Sequence, residues 1–134
     1  MAKKTKTIRQ TRGIPATPDQ IYEALTNAKK HTAFTGAAAT GAARVGGKFT
    51  AYDGYISGKH VVLDKGKRIV QQWQTTEWPE GEPPSTLEFI LEAKGKGTSV
   101  KMIHSGIPAD QAPRYGQGWD DYYWTPLKAH FTKA

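Results

Sequence analysis

Hydrophobic and polar positions alternate through the second half of the chain, and this alternation predicts a series of β-strands. Leu87, Phe89 and Leu91 occupy every second position of residues 86–93, a period that is typical of a strand with one buried face. Residues 98–104 repeat the pattern. The other predicted strands cover residues 5–12, 48–52, 55–63 and 68–77.

Turn-forming residues separate these strands at short intervals. Asp53-Gly54 is a strong signal for a two-residue hairpin, and Gly66 can supply the positive φ that a turn at 64–67 requires. A further turn is predicted at 94–97. The prolines of residues 78–84 predict a longer loop instead, because a strand ladder cannot continue through them. Consecutive strands joined in this way form an antiparallel meander.

A helix is predicted soon after the first strand. Thr17 and Gln20 have the spacing of a capping box, and Pro18 suits the first helical position. Apolar residues then recur at helical spacing, and we expect this helix to fade near residues 29–30. A second, short helical turn is predicted near Phe34, followed by a loop rich in alanine and glycine.

The last part of the chain predicts a long amphipathic helix that begins after residue 110 or 113. Trp119, Tyr123, Leu127 and Phe131 are spaced four residues apart, so that they share one broad apolar face. Pro126 lies inside this helix and should kink it, since proline removes one backbone donor. The order of elements therefore predicts an α+β fold in which the last helix lies across a curved antiparallel sheet.

Composition is consistent with one globular domain over residues 1–134. The chain has 134 residues, is 37% hydrophobic and contains no cysteine, which removes disulfides and thiolate metal clusters from consideration. Apolar runs stop at three or four residues, too short to cross a bilayer. We therefore expect a cytoplasmic protein that does not bind a membrane.

The basic charge of the chain does not predict a nucleic-acid interface. The net charge is +7, from 19 Lys and Arg against 12 Asp and Glu. Part of this charge lies in the first residues, and we expect residues 1–5 to form a frayed basic tail. The other basic residues are scattered among turns and helix ends, whereas a nucleic-acid binder usually gathers them on one face.

Candidate catalytic groups are few. The four histidines, His31, His60, His104 and His130, show no metal-ligand spacing, and the sequence predicts neither a metal nor another cofactor. His104 follows Met102 on one strand face and could point inward, where a hydrogen-bonded structural role is the favoured interpretation. No nucleophile elbow or phosphate-binding loop is found, so the sequence predicts a protein that is not an enzyme.

Large aromatic residues from the sheet and the helices are expected to meet in the interior. Phe34, Trp73, Phe89, Trp119 and Tyr123 form this set. Ordinary core packing explains them, and a partly open cavity lined by aromatic rings is the alternative. Met102 and His104 complete the candidate ligand-binding residues for such a cavity.

The proline-rich loop carries a second kind of candidate. Trp78 is a large ring in an exposed loop, so it either packs down onto the domain or is offered to a partner. Trp78, Pro79 and Glu80 are therefore the candidate residues for contact with a partner protein.

Short motifs along nearly the whole chain resemble one protein family. They are Ala33-Phe34-Thr35, Gly46-Gly47-Lys48-Phe49, Asp53-Gly54 with Ser57-Gly58, Ile69-Val70 with Trp73, Trp78-Pro79-Glu80-Gly81, Gly106-Ile107-Pro108, and Gly118-Trp119 with Tyr122-Tyr123. In this order and spacing the chain resembles the C-terminal domain of the activator of heat-shock protein 90 ATPase, within the START-like (SRPBCC, helix-grip) superfamily.

The resemblance implies both a fold and a function. The fold would be a helix grip, in which a curved antiparallel sheet wraps around a long C-terminal helix and a shorter helix pair follows the first strand. The function would be that of a non-enzymatic co-chaperone, which binds a heat-shock protein 90-type chaperone and stimulates its ATP turnover. The resemblance covers one of the two domains of the full activator, and the N-terminal domain that docks on the chaperone is the other.

Two other functions stay open at this point, because one fold can serve several functions. The first is the binding of a small apolar or amphipathic ligand between the sheet and the last helix. The second is an enzyme of the cyclase-like or hydrolase-like branches of the superfamily, for which His104 is the candidate ionisable group.

Overall fold

The sheet follows the predicted meander. The computed structural model describes residues 4–132. The strands are β1 (Thr5–Ile14), β2 (Thr40–Gly41), β3 (Lys48–Ala51), β4 (Ile56–Asp64), β5 (Arg68–Thr75), β6 (Ser85–Lys94) and β7 (Gly97–Pro108). They form one antiparallel sheet in the order β1-β7-β6-β5-β4-β3-β2. Every pairing except that of β1 with β7 therefore joins strands that are consecutive in the chain.

Helices pack on one face of this sheet. The short pair is α1 (Pro18–Thr26) and α2 (Ala28–Thr35). The C-terminal helix consists of α3 (Ala112–Trp119), a π-helical segment (Asp120–Trp124) and α4 (Thr125–Thr132). Its Trp119 and Leu127 are buried in the same core as the inward side chains of the strands. The predicted α+β helix-grip fold is confirmed.

Local chemistry explains how the helix pair begins and ends. Thr17 and Gln20 form the predicted capping box, each side chain accepting a hydrogen bond from the other residue's backbone N–H. α1 does not continue to residues 29–30 as predicted, because Asn27 has an extended backbone. The Asn27 side chain instead accepts from the Lys30 N–H and caps α2, and Gly36 ends that helix with a φ of +79°.

Two predicted connections differ from the structure. Ala51 pairs with Ile56, so β3 and β4 are joined by the four residues 52–55 and not by a two-residue turn at Asp53-Gly54. β7 continues past residue 104 to Pro108. It does so because the β1–β7 register shifts between Lys6 and Ile8. Gly106, with a φ of +76°, lies in β7 at this bulge and lets the ladder resume.

The predicted basic tail is shorter than expected. Thr5 pairs with Pro108 at the start of β1, and the Lys4 carbonyl accepts a hydrogen bond from the Ala109 N–H. The prediction of a frayed tail is therefore wrong for residues 4 and 5, and residues 1–3 lie outside the described residues.

Polar contacts attach the C-terminal helix to β1. The Gln10 side chain donates to the Gly116 carbonyl at 2.9 Å and accepts from the Trp124 indole at 2.7 Å. The Arg12 guanidinium forms two hydrogen bonds with the Asp120 carboxylate at 3.0 and 3.1 Å, which lowers the pKa of that carboxyl. These contacts fix the position of the C-terminal helix relative to β1.

No helix among residues 4–132 is long and apolar enough to span a bilayer.

Candidate functional site

An open groove separates the β3–β4 turn from the C-terminal helix. Its volume is about 430 Å³. We call it the aromatic groove, and its lining residues are Tyr52, Tyr55, Ile56, Trp73, Arg114, Tyr115, Gly118, Trp119, Tyr122 and Tyr123. A concave, mainly apolar site with a few polar groups is the usual form of a binding site.

The turn between β3 and β4 supplies one wall of the groove. Tyr52 and Asp53 have φ values of +49° and +59°, a left-handed conformation that reverses the chain at this point. The Asp53 side chain accepts a hydrogen bond from the Ala38 N–H, and its own N–H donates to the Ala38 carbonyl. This double contact holds the turn, and with it Tyr52 and Tyr55, against the loop that follows α2.

The π-helical segment supplies the opposite wall. Pro126 has no N–H to donate to the Tyr122 carbonyl one turn earlier, and the Tyr52 hydroxyl donates to that carbonyl instead. The Tyr52 ring also meets the rings of Tyr122 and Tyr123 edge-on, with centroids 5.7 and 5.9 Å apart. The tyrosines therefore close one end of the groove, while Tyr122 remains 59% exposed.

Charged and hydroxyl groups form the other end. The Glu77 carboxylate accepts from the Tyr55 hydroxyl and from the Arg114 guanidinium, the latter at 3.1 Å. Burial, followed by the hydrogen bond to Glu77, raises the pKa of Tyr55. The Tyr115 hydroxyl bonds to the Thr75 hydroxyl at 2.7 Å. This end of the groove can therefore offer hydrogen bonds to a polar group of a bound molecule.

The Trp78 loop (residues 76–84) packs behind this end of the groove. The Trp78 indole donates to the Pro83 carbonyl at 2.9 Å, and its ring stacks on Tyr115 at 6.2 Å between centroids. Trp78 and Pro79 are half-buried, whereas Glu80 is exposed. The Trp78 ring therefore packs onto the domain and is not held out toward a partner. Glu80, two residues further along the loop, remains accessible.

The predicted cavity residues divide into two groups. Trp73, Trp119 and Tyr123 line the aromatic groove. Phe34, Phe89, Met102 and His104 do not line it and are buried in the core. The aromatic set thus provides both core packing and the floor of an open groove.

His104 is a structural residue in this arrangement. The Trp119 indole donates to His104 Nδ1 at 3.2 Å, which assigns the ring proton to Nε2. Nε2 then donates to the Ser85 hydroxyl at 2.8 Å, and that hydroxyl donates to the Trp73 carbonyl at 2.6 Å. Burial lowers the pKa of His104 to about 3. Both ring nitrogens are therefore occupied by core partners, and neither points into the groove.

A second, much smaller cavity lies between the helix pair and the sheet. Its volume is about 20 Å³, close to that of a single water molecule. His31, His60 and Gln71 contribute to its wall. His31 Nδ1 is buried and has no hydrogen-bond partner among residues 4–132. This cavity is too small for an organic ligand. Among residues 4–132, no group of three His, Cys, Asp or Glu side chains is placed to hold a metal ion.

Sequence reasoning missed several groove residues. Tyr115 precedes Trp119 by four positions and could have been recognised as a member of the same stripe. Tyr52 and Tyr55 flank the predicted turn, but only the pairing of β3 with β4 shows that both side chains face the helix. Tyr122 belongs to a motif of the family resemblance, but neither it nor Arg114 was predicted to line a groove, since exposed positions of a helix do not reveal what lies across from them.

Comparison with known proteins places these features in a family context. The family model described as Activator of Hsp90 ATPase homolog 1-like protein matches residues 15–132. The activator of 90 kDa heat shock protein ATPase homolog 1 from Homo sapiens is 40% identical over 114 residues, which are 85% of this chain and 33% of that protein. The homolog from Dictyostelium discoideum is 34% identical over 116 residues, which are 86% of this chain and 30% of that protein. The chain thus spans about a third of the length of these relatives.

A solved structure shows the same fold. The crystal structure of an HSP90 activator from Plasmodium falciparum superimposes with a TM-score of 0.85 at 25% identity, covering 92% of this chain and 94% of that one.

Proposed function

Because the chain belongs to the Activator of Hsp90 ATPase homolog 1-like family, we propose that it is a non-enzymatic binding domain that acts on an Hsp90-type chaperone. Relatives that carry the activator name support this proposal. The proposal includes stimulation of the chaperone's ATP turnover. It also includes a cytoplasmic location, where the domain would meet such a chaperone.

The aromatic groove is the proposed contact surface. The observation that carries this choice is Tyr122, a large ring that is 59% exposed at the edge of an open, largely apolar groove. Exposed aromatic rings beside a pocket are typical centres of protein interfaces. Pro79 and Glu80 of the Trp78 loop would extend the same surface past Tyr115, with Trp78 supporting the loop from beneath.

Stimulation without catalysis requires selective binding. A partner changes the rate of a chaperone cycle only when it binds one conformation of the chaperone more tightly than another. The two hydrogen bonds between Asp53 and Ala38 hold the β3–β4 turn in place, and the contacts with β1 hold the C-terminal helix. The two walls of the groove are therefore fixed relative to each other, and a groove of fixed shape can discriminate between two conformations of a partner.

Binding to a purified Hsp90-type chaperone tests the proposal. Isothermal titration calorimetry would compare the unmodified domain with Tyr122→Ser, which should bind about tenfold more weakly if Tyr122 is an interface centre. Val45→Ser is the matched control, because Val45 is also a large exposed apolar residue, at 64%, and lies outside the groove. ATP turnover of the chaperone would be measured with the same proteins. Absence of binding by the unmodified domain would refute the proposal.

A small apolar ligand is the second candidate occupant. The volume of the groove supports it, since about 430 Å³ lies within the range of sites for small organic molecules. Trp73, Trp119 and Tyr123 would contact the ligand, while the Glu77–Arg114 end would orient its polar group. Native mass spectrometry of the domain purified from cells should then detect an added mass that is lost on denaturation. A protein that shows only its own mass and does not bind hydrophobic fluorescent probes would contradict this candidate.

A further inference from the structure

The outer face of the sheet, opposite the helices, carries two lysines that face each other. Lys48 of β3 and Lys59 of β4 are direct cross-strand partners, and both are exposed. Their neighbours Phe49 and His60 point the other way, stacking on each other beneath the sheet with ring centroids 5.1 Å apart. Because side chains alternate along a strand, both lysines project from the outer face.

Neither lysine of this pair forms an ion pair with a carboxylate among the described residues. The ion pairs among residues 4–132 are formed by Arg12, Arg68 and Arg114, and neither lysine has an acidic partner there. Across β5, the residue opposite Lys59 is the neutral Gln72. The next pair along β3 and β4 is Thr50 with Ser57. The residues that flank the two ammonium groups on these strands thus carry hydroxyls and an amide. The Thr50 hydroxyl shares a hydrogen bond with the Thr40 hydroxyl at 2.7 Å, so Ser57 and Gln72 are the neighbours that can donate to a bound molecule.

Two like charges directly opposite each other destabilise a sheet. Elsewhere on the same sheet a basic residue does have an acidic partner, since Arg68 of β5 forms an ion pair with Glu88 of β6. Lys48 and Lys59 have no such partner within the part of the chain that the structure describes. An anion bound over Lys48 and Lys59 would remove the repulsion and gain two charge-assisted contacts.

We infer that the outer face around Lys48 and Lys59 binds an acidic, extended segment of a partner protein. Charge complementarity selects this occupant, and the hydroxyl of Ser57 and the amide of Gln72 suit the backbone and carboxylate oxygens of such a segment. The inference goes beyond the proposed function, since this face is on the other side of the sheet from the aromatic groove. One domain could therefore hold two parts of a partner at the same time.

Binding of a fluorescent polyglutamate peptide, followed by anisotropy at low salt, tests the inference. Lys59→Glu should weaken binding about tenfold, because it removes one attraction and adds one repulsion. Lys65→Glu is the matched control, since it changes the net charge equally at another exposed position in the β4–β5 turn, and it should weaken binding less than about twofold by long-range attraction alone. Equal losses in the two variants would overturn the inference.

Two further measurements, thermal stability and binding after charge inversion, distinguish a loss of binding from a loss of folding. Lys59→Glu places a carboxylate opposite Lys48, so its Tm should equal or exceed that of the unmodified domain. The double variant Lys48→Glu, Lys59→Glu should lose the polyglutamate peptide and bind a polylysine peptide instead. Retained polyglutamate binding by the double variant would overturn the inference. So would tighter binding of a single-stranded RNA of equal charge, because that result would assign the face to nucleic acid.

Discussion

At the scale of single residues, His104 shows how a titratable group can serve the core. The chain of hydrogen bonds from the Trp119 indole through His104 and Ser85 to the Trp73 carbonyl joins the C-terminal helix to β7, β6 and β5. His104 and Ser85, the two inner members of this chain, each donate one hydrogen bond and accept one. Such a network stabilises a fold while it is complete, because an unpaired polar group in the core is costly.

Replacing His104 by leucine should break this network from its centre. His104→Leu leaves the Trp119 N–H and the Ser85 hydroxyl each without one partner, and we expect a loss of about 2–3 kcal/mol in the free energy of unfolding. Urea denaturation would measure it. His130→Leu is the control, since His130 is exposed on α4. A similar, small effect of both substitutions would show that the network contributes little.

At the scale of elements, the π-helical segment and Pro126 together shape the wall of the groove. A π-turn holds one more residue than an α-turn, and it brings Trp124 as well as Tyr123 into the core. The Tyr122 carbonyl, which Pro126 cannot satisfy, points to the Tyr52 hydroxyl. An apparent defect in the helix is therefore the point at which the helix and the β3–β4 turn are joined.

A double-mutant cycle would test this coupling. Tyr52→Phe alone should lower the free energy of unfolding by about 1 kcal/mol, because the Tyr122 carbonyl loses its donor. In a Pro126→Ala background the new alanine N–H can donate to the same carbonyl, so Tyr52→Phe should cost less. We expect a coupling of at least about 0.5 kcal/mol between the two sites. Strictly additive effects in urea denaturation would contradict the assignment.

At the scale of the whole molecule, buried histidines should make stability depend on pH. Burial lowers the pKa of His31 to about 4 and that of His104 to about 3, and it also lowers the pKa of His60. In the unfolded chain each histidine titrates near pH 6.5. Since the folded pKa values are lower, the unfolded chain binds protons first as the pH falls. This contribution to stability is complete above about pH 6.5 and is lost progressively toward pH 4.

Unfolding measured between pH 8 and pH 5 checks this dependence. Below pH 6.5 the free energy of unfolding should fall by up to about 1.4 kcal/mol per pH unit for each of His31 and His104. His31→Phe should reduce the slope, since it removes one of these groups while keeping a ring beside Phe34. The exposed His130→Leu variant should keep the slope. Stability that does not change between pH 8 and pH 5 would contradict the prediction.

Most of the architecture could be predicted from the sequence, and particular residues show which features could not. Alternation such as that of Leu87, Phe89 and Leu91 depends only on one buried face, so it located six of the seven strands found among residues 4–132. β2 (Thr40–Gly41) lies in the predicted loop and was missed, because two residues are too few to show a period. Trp124 was missed because a four-residue period assumes a regular α-helix, which the π-helical segment is not. The open groove could not be predicted either, because it depends on how far the β3–β4 turn stands from the C-terminal helix, a distance that no local pattern encodes.

The pairing of β1 with β7, which joins distant parts of the chain, also has a consequence for the order of folding. Within the part of the chain that the structure describes, five of the six strand pairings join neighbouring strands and can form as successive hairpins. The sixth pairs Ile14 with Thr98 and Thr5 with Pro108, which are far apart in the chain. Contacts between distant residues carry the larger loop-closure cost. The first strand should therefore dock after the meander has formed, and substitutions along it should speed unfolding far more than they slow refolding.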